Sequence, residues 1–257
     1  MTHPSPSQLA YIPFVSVQNM MRLVNSVGTE TFIRDLAGYI EQDFKRWPEF
    51  EKTSRVASHS VDGVIELMPT ADTEHYGFKY VNGHPKNMHQ GYKTVTAFGV
   101  LSSIATGYPI LLSEMTVLTA LRTAAMSALA AKYLAPESAK VMAMIGNGAQ
   151  CEFQALAFRA LLGINTLRLY DIDPHATQKA AWNLTAQGFE VQCCKLSQDA
   201  VKGSDIITTC TADKQYATIL TDNMVGEGQH INAIGGDCPG KTELHRDDLI
   251  RSSILVE

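Results

Sequence analysis

Two short stretches carry residue types that can do chemistry. In Asn232-Ala233-Ile234-Gly235-Gly236-Asp237-Cys238-Pro239-Gly240-Lys241, one carboxylate and one ammonium stand among glycines and a proline, after an apolar run. Glycine and aspartate tolerate positive φ and proline fixes the next bend, so a plain turn and a loop presenting a carboxylate have the same composition. In Ile145-Gly146-Asn147-Gly148-Ala149-Gln150-Cys151, an apolar segment runs into a helix-forming one. Gly146 permits a tight turn there, Gly148 lets backbone N–H groups approach a pyrophosphate, and the helix N-terminus adds partial positive charge. Cys151 takes the place of the third glycine and is small enough for close helix packing. Asp171 closes the next apolar segment, 23 residues after Gly148. A carboxylate at that point accepts both ribose hydroxyls and repels a 2′-phosphate, which favours NAD over NADP. Asp173, just before Pro174, reads as a helix cap. The competing reading is a Rossmann-like domain that holds no nucleotide.

These loops need a frame. From about Thr29 to Trp47, Phe32, Ile33, Leu36, Ile40 and Phe44 recur at helical spacing, and Pro48 ends the pattern. RVASHS, GVIELMP and YGFKYVNG then read as short strands bounded by turn residues such as Asp62-Gly63 and Asn82-Gly83. VTAFGVLSSIATGYPILLSEM predicts a hairpin turning at Ala105 to Pro109. The first half is thus α+β with a mainly antiparallel sheet. An Ala-rich helix over Thr116 to Leu134 stops before Pro136. After it VMAMIG, the helix from Gln150 to Leu162, TLRLYDI, a helix near His175 to Gln187, EVQCCKL, DIITTCT, HINAIGG and a last apolar SSILVE follow in turn. Alternation of strand and helix predicts a parallel, doubly wound α/β sheet. The expected division is 1–136 and 137–257. NAIGGDCPGK then follows a late strand of that sheet, where loops meet the ligand crevice, and Thr209 and Thr211 end a neighbouring strand.

Bulk properties narrow the function classes. The chain has 257 residues, 45% hydrophobic and 18% charged, with a net charge of −5, as a globular domain pair would. No Lys/Arg cluster follows a helix, which argues against nucleic acid. The N-terminus lacks an export pattern and no uncharged run spans a bilayer, so a cytoplasmic place and no membrane partner are expected. Five cysteines at 151, 193, 194, 210 and 238 lack CxxC spacing, and the eight histidines are scattered, so neither a disulfide framework nor a metal is expected.

FKRWPEFEKTSRVASHS, GVIELMP, FKYVNGHP, TAFGVL, GYPILLSEMT, ALRTAA, IGNGAQCEFQALAF and GGDCPGKTEL together resemble the ornithine cyclodeaminase/mu-crystallin family over nearly the whole chain after residue 12. The resemblance implies a substrate and dimerisation domain beside an NAD-binding Rossmann domain, in a homodimer. It also implies conversion of a diamino acid, L-ornithine, into L-proline and ammonia. On it Arg55, Lys79 and Arg122 hold the substrate carboxylate, Glu66 takes the δ-ammonium, and Asp237 moves protons at the α-amino group. The positions matching NAD contacts are Thr94, Arg122, Gly146, Gly148, Ala149, Gln150, Asp171, Thr211, Asn232, Ala233, Ile234 and Lys241. Net-redox amino-acid dehydrogenases, ketimine reductases and non-catalytic NAD-binding members share the scaffold and remain alternatives. Members of the family continue past Glu257, so an incomplete Rossmann domain is expected here.

Overall fold

The computed structural model describes residues 11–211, 216–221, 223–236 and 242–256. By their contacts they divide into two units, one running to Gly28 and resuming over Tyr39–Thr119, the other made of Thr29–Gly38 and everything from Ala120. Two helices, α2 (Thr29–Lys45) and α3 (Thr116–Leu134), belong in part to each.

The first unit begins with β1 (Phe14–Val15) and α1 (Val17–Val27), whose first turn is capped by Ser16 accepting from Asn19 N–H at 3.2 Å. Its sheet adds β2 (Glu51–Lys52), β3 (Val56–His59), β4 (Val64–Ala71), β5 (His75–Gly83), β6 (Val95–Ser103) and β7 (Pro109–Glu114). The order is β1-β7-β6-β5-β4-β2, with β3 also on β4, and every pairing but β1 with β7 is antiparallel. Asp62-Gly63 lies in the β3–β4 turn, closed by Ser60 N–H to Gly63 O at 2.8 Å. Asn82-Gly83 instead ends β5, where Asn82 Oδ1 accepts from Thr96 N–H at 2.9 Å. Asp72 turns β4 into β5 by accepting from Glu74 and His75 N–H at 2.9 and 2.8 Å. Those N–H groups, with Arg46 at 3.0 Å, hold its carboxyl below the usual range. Pro48 does not end α2, which stops at Lys45; it starts a separate 3₁₀ turn, where its missing N–H costs nothing.

Period-two alternation sorts the sheet's faces. Val56, Leu67, Tyr80 and Phe98 are paired in register, and Val56, Leu67 and Phe98 are exposed. The opposite face carries buried Val81 and Ala97 and, with them, Glu66 and Lys79.

The second unit is a parallel sheet of β8 (Val141–Ile145), β9 (Thr166–Tyr170), β10 (Glu190–Cys193), β11 (Ile206–Thr209) and β13 (His230–Ala233) in the order β10-β9-β8-β11-β13. Helices α4 (Cys151–Leu162), α5 (Pro174–Ala186) and α6 (Ser197–Val201) connect the first four strands. That order is a doubly wound Rossmann arrangement, and it reverses between β8 and β11. Asp205 fixes the register of these two by accepting from Lys140 and Val141 N–H at 2.8 and 2.9 Å. Parallel strands are covered on both faces, which is why these read as apolar runs. Ala143, Ile145 and Ile207 pack on one side with Ala200, Val201 and Leu220, while Met142, Met144 and Ile206 are buried on the other. A separate pair, β12 (Tyr216–Leu220) with β14 (Thr242–Leu244), precedes the short α7 (Arg246–Ile250). The expectation that the terminal SSILVE extends the sheet is corrected: residues 252–256 are exposed and form no strand, and β13 is the outer strand.

Candidate functional site

The glycine loop lies at the C-terminal end of β8, at the reversal point. Gly146 is buried with φ +96°, a conformation L side chains rarely adopt. A Cβ there would lie 2.9 Å from the Cys210 carbonyl and 3.0 Å from Thr211 N, so the loop touches the end of β11 backbone to backbone. Cys210 adds Sγ–H to Gly146 O at 2.9 Å, and burial pushes its thiol well up. Gly148 is exposed, and a Cβ on it would meet nothing within 4 Å. Gln150, at the N-cap of α4, makes no side-chain cap bond; Cys151 N–H is taken by Gly148 O at 3.2 Å, and the N–H groups that follow it in the first turn are the ones an anion site would use.

Around this opening the loop is tied down. Asn147 N–H donates to Asp171 Oδ2 at 2.6 Å, and Asn147 Nδ2 to Thr177 Oγ1 at 2.9 Å. Asp171 also accepts from Asp173 N–H at 2.9 Å, and Asp173 caps α5 through His175 N–H at 2.9 Å. Cys151 is fully buried behind the loop; desolvation and then Glu152 and Asp171 push its thiol up to about 12, so it packs and does not react. The residues present therefore fit a dinucleotide: an open glycine, an uncapped helix start and a half-buried carboxylate after the second strand.

Gln150 Oε1 receives Gln154 Nε2 at 3.4 Å. Gln154, itself fully buried, donates also to Ser127 Oγ at 3.3 Å and receives Asn232 Nδ2 at 3.4 Å. Asn232 reaches Thr208 Oγ1 as well at 3.3 Å, so its side chain serves a buried network. Ala233 is exposed and Ile234 half-buried at the end of β13, and Ile234 N–H donates to Thr209 O at 3.1 Å. Asp237 and Lys241 lie outside the described residues.

Sequence reasoning missed Glu243. It is 3% exposed and draws three segments together. Its Oε2 accepts from Thr209 Oγ1 at 2.7 Å and Gly235 N–H at 2.9 Å; its Oε1 accepts from Thr211 N–H at 2.9 Å and from the Thr211 hydroxyl. Thr209, at the end of β11, is buried and committed to this carboxylate. The partners are 8 to 34 residues away, and no local spacing announces them.

In the first unit the structure brings together Arg55, Glu66 and Lys79. Arg55 Nη1 is 3.2 Å from Glu66 Oε1, with side chains 57% and 19% exposed. Lys79 opposes Met68, two residues along from Glu66 on the same face, and is half-buried. Thr94 is half-buried just before β6, its carbonyl accepting from His84 N–H at 2.8 Å. Arg122 is half-buried in the Ala-rich α3, not the exposed charge a surface helix would carry. Among the described residues no three His, Cys, Asp or Glu stand as a metal site would.

Residues 17–257 match the model of the ornithine cyclodeaminase/mu-crystallin family. The chain belongs to this family. It is 66% identical to ornithine cyclodeaminase of Brucella suis biovar 1 over all of this chain and 71% of the relative's length. Among solved structures it is similar to a lysine cyclodeaminase characterised for recognition of L-lysine, L-ornithine and L-2,4-diaminobutyric acid. There the TM-score is 0.88 at 27% identity, over 94% of this chain and 72% of that one. It is also similar to an archaeal alanine dehydrogenase dimer with bound NAD, at TM-score 0.83 and 29% identity over the same shares.

Proposed function

We propose that this chain is an ornithine cyclodeaminase that converts L-ornithine into L-proline and ammonia with NAD, as an ammonia-forming, cyclising lyase of proline biosynthesis and ornithine catabolism. The single observation that carries the reading is 66% identity to a curated ornithine cyclodeaminase over the full length of this chain. The glycine loop supports NAD as the cofactor, because Gly146 permits the turn, Gly148 is open and Asp171 stands where ribose hydroxyls are read.

The glycine loop from Gly146 to Gln150, with Asp171, would hold NAD, which would supply hydride-transfer chemistry. The protein's part is to hold two amines and a carboxylate in register. Arg55, Lys79 and Arg122 hold the carboxylate. Glu66 takes the δ-ammonium and removes the proton that must leave before nitrogen attacks the α-imine carbon. Asp237 carries the protons that accompany imine formation and ammonia loss. The Arg55–Glu66 pair supports this division: a partly exposed pair is weak, about 0–1 kcal/mol, and a substrate carrying both charges exchanges into it one partner at a time. Thr94, Ala149, Gln150, Thr211, Asn232, Ala233, Ile234 and Lys241 complete the proposed NAD contacts.

In this reading 1–136 is the substrate and dimerisation domain and 137–257 the NAD domain. The open apolar ladder of Val56, Leu67 and Phe98 supports a homodimer, since exposed contiguous apolar surface marks interfaces. Four described cysteines are free thiols, which fits a cytoplasmic place, and no described helix is long and apolar enough to cross a membrane. The deciding assay incubates the protein with L-ornithine and catalytic NAD and follows products by mass spectrometry. Proline and ammonia in equal amounts without net NADH are expected; NADH accumulating without proline overturns the reading.

A further inference from the structure

We infer that Gln154 is a positioning residue for the cofactor: from the buried side of α4 it holds the Gln150 side chain so that the Gln150 NH₂ is left for the pyrophosphate of NAD. The inference rests on the reading of the glycine loop as an NAD site, and its basis is a chain of hydrogen bonds whose direction is fixed. Gln154 lies one turn into α4, four residues after Gln150, and is fully buried. Its Nε2 donates to Ser127 Oγ at 3.3 Å and to Gln150 Oε1 at 3.4 Å, and its Oε1 accepts from Asn232 Nδ2 at 3.4 Å. Asn232 Nδ2 also donates to Thr208 Oγ1 at 3.3 Å.

Ser127 sets the sense of the chain. A hydroxyl has one proton, and that of Ser127 goes to Thr123 O at 3.0 Å, inside α3. Towards Gln154 it can then only accept, so the Gln154 amide must present its NH₂ to α3. Both protons of that NH₂ are used, one on Ser127 and one on Gln150. The carbonyl is left for Asn232, whose own NH₂ is shared between Gln154 and Thr208. An inverted Gln154 amide would set NH₂ against NH₂ at Asn232 and oxygen against oxygen at Ser127. Gln150 Oε1 is thereby held inward. Its NH₂ donates to none of the described residues, and Gln150 is half-buried at the N-cap of α4, beside exposed Gly148 and Ala149. A nucleoside diphosphate lying on the first turn would meet an oriented side-chain donor there, in addition to backbone N–H groups. A side chain ordered before binding spares the ligand the cost of ordering it, a difference of about 2- to 10-fold in affinity.

The test measures two Kd values by calorimetry, for NAD and for ADP-ribose, which keeps the pyrophosphate and lacks nicotinamide. The proteins are wild type, Q154M, Q150A and the double variant. Methionine is close to glutamine in shape and removes every hydrogen bond of the amide. Q154M is expected to raise both Kd values by about 2- to 10-fold. Q150A is expected to raise them by about 10-fold or more, the worth of a hydrogen bond to a charged group. In the Q150A background Q154M is expected to add nothing beyond about twofold, because Gln154 acts through Gln150. A purely structural Gln154 would weaken binding by the same factor in both backgrounds, and that additive result overturns the proposal. So do unchanged Kd values in Q154M or in Q150A, and so does a loss confined to NAD, which would place the effect away from the pyrophosphate. If Q154M does not fold, S127A carries the test, since alanine is favoured in a helix and the change removes the acceptor that orients the amide. Both Kd values are then expected to rise about 2- to 3-fold, and only where Gln150 is present; equal values in S127A and wild type overturn the proposal. Wild type that binds neither ligand overturns the NAD site and this role with it, whereas wild type that binds both and makes no proline overturns only the cyclodeaminase reading.

Discussion

Glu66 and Glu243 are both glutamates on strands, and their surroundings could hardly differ more. Glu66 sits in the antiparallel sheet, 19% exposed, ion-paired to an arginine whose side chain is itself 57% exposed. Glu243 is 3% exposed at the rim of the parallel unit and is saturated by four donors from two strand ends. A carboxylate that can exchange its partner is able to take a ligand's charge; one whose lone pairs are all engaged can only hold its neighbours. The antiparallel sheet, with one face open, supplies exchangeable groups. The parallel sheet, covered on both faces, supplies fixed ones.

Activity and stability should separate the two residues. The largest expected effect is on turnover in Glu66→Gln: proline formation falls by about 10²- to 10⁴-fold, the usual worth of a general base, while the urea midpoint stays at the wild-type value. An E66Q enzyme with full turnover would remove Glu66 from the chemistry. Next, Glu243→Ala should destabilise the protein by about 2–4 kcal/mol in urea unfolding, because several buried donors are orphaned at once. Glu66→Ala should cost no more than about 1 kcal/mol. Equal losses would erase the contrast. Gly146→Ala should weaken NAD binding by about 10-fold or more in calorimetry, since both the positive φ and the contact with Cys210 oppose a methyl group.

A smaller effect belongs to His230 at the start of β13, whose Nε2 is buried without a hydrogen-bond partner among the described residues. Burial lowers its pKa, so as pH falls the unfolded chain takes up the proton first. Its contribution is therefore intact above about pH 6.5 and is lost as pH drops through the lower folded value. Unfolding midpoints across that range should fall more steeply for wild type than for His230→Gln. Smallest of all is a labelling difference without a stability change. At about pH 8 iodoacetamide should modify exposed Cys193 in the native protein and leave buried Cys151 untouched until urea unfolds it.

What could be read without coordinates follows the same physics. The parallel strands were legible because burial on both faces makes VMAMI and IITT apolar throughout, and the glycine loop because its turn and close approach demand glycine. Asp173 was legible as a cap because capping is local. Arg55, Lys79 and Glu66 came from a resemblance; the shared face follows from register, which three separate strand segments do not state. The β12–β14 pair was not legible because its strands stand more than twenty residues apart, nor was Glu243, whose donors lie on two other segments 8 to 34 residues away. Pro48 misled because a proline ends a helical pattern equally well from a following turn.

The pairing of β8 with β11 joins Met142 to Ile206 across 64 residues of chain. Three helices and two other strands are made before the second partner has even been synthesised. Long loops close late, so the seam at which the glycine loop meets Cys210 is among the last parts of the unit to form. Competence to bind the dinucleotide then arises only in chains that have completed this seam, and the cofactor, by binding them alone, draws the folding equilibrium toward the finished molecule.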